Sequence, residues 1–184
     1  YRVYKGDWES ALEELVDVFE KQLRHWGMNQ DAAYTLGLAT KLCEKHQRLP
    51  QLERILGRAV EWLPDADDQL RIYRRLGRLQ YRLGRFEESE KTIRRVCQLQ
   101  KTVAPERVGD WAMQQGALAL TLWKLGRVEE ATTLVESCCE LAHQGVYTPD
   151  QLDQLKAYTR QFYQAMGTPE RADELLGAGE PAER

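Results

Sequence analysis

The chain has 184 residues, 30% of them charged and 42% hydrophobic, with a formal net charge of −3. That length holds one domain or one repeat array, and so small a net charge singles out neither nucleic acid nor an anionic membrane as a partner. No apolar run approaches the roughly 20 residues that span a bilayer.

Taken in chain order, apolar residues recur every three or four positions, and nowhere do they alternate as in a strand. The predicted helices run over 7–25, 29–46, 50–63, 67–83, 86–101, 105–125, 128–144, 149–166 and 169–177. Tyr1 to Lys5 reads as the end of a helix whose beginning lies outside this sequence. Pro50 and Pro169 open two helices, and Pro105 and Pro149 stand where a first turn accepts a missing N–H. The tail, 178–184, is expected to be flexible.

A phrase repeats along the chain. YRLGRFEESE from Tyr81 and WKLGRVEEAT from Trp123 share an aromatic, a basic residue, Leu-Gly-Arg, an apolar residue and Glu-Glu, with Gly84 and Gly126 standing 42 positions apart. Weaker forms are YKGDWESA around Gly6, AMGTPERA around Gly167, and EKHQRLPQLERIL, where Gln47 replaces the glycine. A glycine in the left-handed conformation ends a helix, so each copy predicts helix, tight turn, helix. Five positions on stands a small residue (Ala11, Ser89, Ala131, Ala172), or Leu52 in the degenerate copy, where the second helix meets the first.

The set Tyr73, Leu76, Gly77, Tyr81, Gly84, Phe86, Ser89 and Ile93, with Leu36 and Gly37 from another copy, resembles the tetratricopeptide repeat. The spacing near 41 resembles the longer-helix variety of kinesin light chains and of the sensor arms of some large regulatory ATPases. The resemblance implies an all-α fold of stacked antiparallel hairpins wound into a right-handed superhelix. A single array of about four and a half hairpins would span 1–177, the first helix of each hairpin lining the concave side.

On that basis the groove would present Arg71, Arg74 and Arg78, followed by Tyr81 and Arg82, with Arg75 beside them. The next groove helix would offer Met113, Leu120 and Trp123, with Gly116 and Ala117 leaving room. The flanking groove helices would add Asp31, Tyr34, Leu38 and Lys41, and Gln154, Ala157, Tyr158 and Gln161. Arginine's planar fork pairs with carboxylates. The functional reading is therefore a non-catalytic scaffold or adaptor that binds an acidic or C-terminal peptide segment of a partner. The plainer reading is a solvated face neutralised by Asp65, Asp67 and Asp68. The alternative function is a regulatory, sensor or self-assembly arm of a larger protein. Trp26, Trp62 and Trp111 read as packing residues.

No catalytic residue, cofactor or metal is expected. Gly-rich phosphate loops, HExxH and GxSxG are absent, and His25, His46 and His143 lie at no ligand spacing to Cys43, Cys97, Cys138 or Cys139. The cysteines read as reduced apolar residues of an intracellular, cytoplasmic protein. Nucleic acid is disfavoured, because the basic residues of 69–96 divide between two helices that face opposite sides.

Overall fold

The computed structural model describes residues 7–177. Among them are nine α-helices and no strand: α1 (Trp8–Trp26), α2 (Gln30–Lys45), α3 (Leu49–Trp62), α4 (Ala66–Arg82), α5 (Phe86–Val103), α6 (Val108–Lys124), α7 (Val128–His143), α8 (Pro149–Ala165) and α9 (Pro169–Gly177). The fold is all-α, built of antiparallel hairpins. The turn around Gly6, the opening Tyr1–Lys5 and the tail 178–184 lie outside the described residues.

The four remaining turns share one geometry. Gln47, Gly84, Gly126 and Gly167 take φ of 56°, 74°, 77° and 79°. After each, the next N–H reaches back to the carbonyl five residues earlier: Arg48 to Cys43 at 2.7 Å, Arg85 to Gln80 at 2.9 Å, Arg127 to Leu122 and Thr168 to Tyr163 at 3.0 Å. This arrangement satisfies carbonyls that a helix end would otherwise leave bare. The small residue five positions on is buried in three copies: Ser89, Ala131 and Ala172. Ser89 uses its hydroxyl as well, donating to the Gly77 carbonyl at 2.9 Å. Leu52 is buried in the degenerate copy.

Helix starts follow local capping chemistry. Asp65 accepts from the Asp67 and Asp68 amides at the head of α4, and Thr148 and Gln151 form a reciprocal capping box with Pro149 at α8. The expected helix start at Pro105 is corrected: α6 begins at Val108. The Arg107 N–H bonds the Ala104 carbonyl at 3.1 Å, which sets Pro105 at the second position of a tight turn, where its fixed φ is equally at home. The same carbonyl accepts from the Gln100 side chain at 3.4 Å.

The chain divides into two compact units, Tyr1–Thr92 and Ile93–Arg184, with the boundary inside α5. The first unit buries Leu12, Phe19 and Leu23 of α1 against Leu36 and Ala39 of α2, Leu52 and Leu56 of α3, and Ile72 and Leu76 of α4. The second buries Leu118 and Leu122 of α6, Val135 and Cys139 of α7, and Phe162 and Tyr163 of α8 around Ala131 and Ala172. Each unit thus has its own core.

Candidate functional site

In the first unit, α2 and α4 lie side by side, tied at both ends. At their N-terminal ends the Met28 amide donates to Asp68 Oδ2 at 2.7 Å, and Arg71 Nη1 reaches the Met28 carbonyl at 3.4 Å. At their C-terminal ends Arg82 Nη1 pairs with Glu44 at 3.0 Å. The ties join residues 40 and 38 positions apart, which sets Asp31 level with Arg71 and Tyr34 level with Tyr73 and Arg74.

The arginines of α4 have separate fates. Arg71 is held by Asp67 at 2.9 Å, with Asp68 at 3.9 Å, so two of the acids offered as neutralisers act as such, while Asp65 caps the helix instead. Arg82 is held by Glu44, and Arg74 is half-buried. Arg75 and Arg78 are exposed and have no ion pair or hydrogen bond among the described residues. Tyr81 is half-buried, edge-on to Phe86 with ring centroids 5.4 Å apart. Tyr34, facing solvent from α2, is 62% exposed.

The sequence reading missed one aromatic. Trp26, expected to pack, is 67% exposed. The series Leu12, Leu15, Phe19, Leu23 points to position 26, which is why Trp26 reads as core. The helix ends there, and the chain turns away at Gly27 with φ 67°. Trp62 and Trp111 are half-buried under cations: Arg24 and Arg58 lie 5.6 and 5.1 Å from the Trp62 ring, and Lys101 lies 4.8 Å from Trp111.

In the second unit, Met113, Leu120 and Trp123 are half-buried on α6. Leu120 and Trp123 pack against the core; Trp123 meets Phe162 edge-on at 6.3 Å, and Lys124 Nζ lies 4.3 Å over its ring. A Cβ added at Gly116 would meet nothing within 4 Å.

Chemistry at a nucleophile is unsupported. All four cysteines are buried. Burial pushes Cys97 up to about 11 and Cys138 up to about 12, which suppresses the thiolate that a nucleophile or metal ligand needs. Among the described residues no group of His, Cys, Asp and Glu is placed to hold a metal ion, and no helix is long and apolar enough to cross a membrane.

Residues 70–102, which cover most of α4 and α5, match the family model of the tetratricopeptide repeat. That stretch is similar to a single tetratricopeptide repeat. The chain has the fold of tetratricopeptide-like structures related to kinesin light chains. It is similar to the nearly identical TPR-like repeats of a putative kinesin light chain from Podosopora anserina, at 19% identity over 94% of this chain and 85% of that one, with a TM-score of 0.66. A substituted form of that protein superposes over the same shares with a TM-score of 0.67. BtubC (BKLC) from P. vanneervenii is similar at 15% identity over 92% of this chain and 70% of that one, again with a TM-score of 0.67. Comparison with curated protein sequences finds no match.

Proposed function

We propose that this tetratricopeptide-repeat chain is a non-catalytic interaction scaffold that docks an acidic segment of a partner protein on the α2–α4 face. Tetratricopeptide repeats generally mediate protein–protein interaction, and the observation that carries this particular reading is the pair Arg75 and Arg78. Both guanidinium groups are exposed with no carboxylate of their own among the described residues, between two arginines that have one. Two free forks one helical turn apart suit two carboxylates of a bound segment. Tyr34, exposed on the neighbouring α2, supplies aromatic contact area of the kind that anchors interfaces. The second unit would offer an apolar contact surface of its own, carried by Met113, Leu120 and Trp123.

The test is fluorescence anisotropy with labelled acidic peptides bearing a free C-terminus, read against Arg75→Glu with Arg78→Glu. Binding is expected to weaken about tenfold or more in the double variant, with helicity by circular dichroism unchanged, and to weaken with added salt in the wild type. Affinity unaltered by the double reversal at low salt would end this reading.

A further inference from the structure

A second surface lies elsewhere on the first unit, between α1 and α3. Here a cleft of about 770 Å³ runs along the two helices, within the size range of ligand-binding clefts. Its floor is apolar, formed by the buried Leu12 and Ile55 with the half-buried Val16 and Trp62. Its walls carry opposite charges: Glu13, Glu14 and Asp17 on α1, and Arg54 and Arg58 on α3.

One end of this pair of helices shows what such charges do when they can meet. Glu20 of α1 holds Arg24 at 2.5 Å and reaches across to Arg58 at 3.5 Å. Both arginines then lie over the Trp62 ring, so the opposing charges are joined there. Along the cleft they are not. Glu13, Glu14, Asp17 and Arg54 are all exposed, and none has an ion pair or hydrogen bond among the described residues. The cleft holds acids and base apart over an apolar floor.

We infer that the α1–α3 cleft docks an amphipathic helical segment of a partner protein. Its apolar stripe would cover Leu12, Val16 and Ile55, its lysines or arginines would flank α1, and its aspartates or glutamates would flank α3. A rod suits a trough between two rods, where side-chain ridges seat in grooves. A flank of each sign satisfies both walls at once, whereas a uniformly charged segment meets one attractive wall and one repulsive wall.

Three fluorescein-labelled amphipathic peptides of roughly 18 residues, long enough to hold helix, test this. All carry the same leucine stripe, one with lysine and glutamate on opposite flanks, one with lysine on both, one with glutamate on both. The wild-type protein is expected to bind the mixed peptide about tenfold more tightly than either uniform one. Glu13→Lys with Asp17→Lys leaves Glu14 but turns the α1 wall net basic, and should shift preference toward the all-glutamate peptide. Arg54→Glu puts an acid in place of the α3 base that has no carboxylate among the described residues, Arg58 being held by Glu20, and should shift it toward the all-lysine peptide. Because these side chains are exposed, circular dichroism should be unchanged in each variant. Arg75→Glu with Arg78→Glu should leave all three affinities unchanged, so this test stands or falls apart from the α2–α4 face. Absent binding of the mixed peptide, or a ranking of the three that does not follow the wall charges, overturns the proposal.

Discussion

Gln47 is a side-chain-bearing residue in a position the other copies give to glycine. Its φ of 56° places Cβ against the following carbonyl, a strain of roughly 1–2 kcal/mol that glycine avoids. Gln47→Gly should therefore stabilise the first unit, by about 1 kcal/mol at most, because the freer unfolded chain offsets part of the gain. Gly126→Ala should cost about 1 kcal/mol. An added Cβ there meets nothing within 4 Å, so the cost is conformational alone. Urea midpoints of the two variants should move in opposite directions. The thiols make a second prediction at this scale. Their ordinary value is 9.0, and burial holds Cys97 near 11 and Cys138 near 12. A raised folded pKa means that the unfolded state gives up its proton first. The stability linked to these thiols is thus fully present below pH 9 and lost as pH rises from 9, through about 11 for Cys97 and about 12 for Cys138. Urea titrations from pH 8 to 11 should show the decline, and Cys97→Ala should make it shallower. A decline as steep in Cys97→Ala as in the wild type would show that other groups govern it.

At the scale of elements, the junction of α3, α4 and α5 holds a buried polar chain. Arg85 pairs with Glu53 at 2.9 Å, the Gln80 amide donates to Glu53 at 3.3 Å, and the Thr92 hydroxyl donates to Gln80 at 2.7 Å. Glu53, Gln80 and Thr92 are buried, while the Arg85 side chain is 50% exposed. Removing Glu53 strands the Gln80 amide without an acceptor more than it strands the arginine. Glu53→Ala should destabilise by about 1–3 kcal/mol. Glu53→Gln, which keeps an acceptor for Gln80 and loses only a solvent-screened ion pair, should cost under about 1 kcal/mol. Thermal melts of both variants check the order, and equal losses would shift the weight to the ion pair. The same scale shows what the sequence made readable at the candidate site. Asp67 lies four positions before Arg71 on one helix, so their pairing is visible in the sequence. Glu44 lies 38 positions from Arg82 on another helix, and that pairing exists only because α2 and α4 align. Which arginines stay free is therefore a product of packing, and Arg75 and Arg78 do not stand out from Arg71 and Arg82 in the sequence.

At the scale of the whole molecule, each unit is centred on one fully buried phenylalanine, Phe19 in the first and Phe162 in the second. Phe19→Ala and Phe162→Ala should each cost about 3–5 kcal/mol, as expected when a close-packed ring is removed and a cavity is left, with denaturant midpoints as the measure. Losses under about 1 kcal/mol would mean that the surroundings collapse into the space. By itself the sequence determined the helical class, the positions of the tight turns at 47, 84, 126 and 167 and the small residues that follow them. Backbone conformation at a turn and the three-to-four-residue period of a helix are local properties, decided within a few neighbours. Only the tertiary structure decided that Trp26 lies open to solvent, that Glu44 takes Arg82 while Arg75 and Arg78 have no partner among the described residues, and that α1 and α3 hold opposite charges apart over an apolar floor. Those outcomes depend on distances between residues far apart in the chain, which are set when helices pack and which no local pattern encodes.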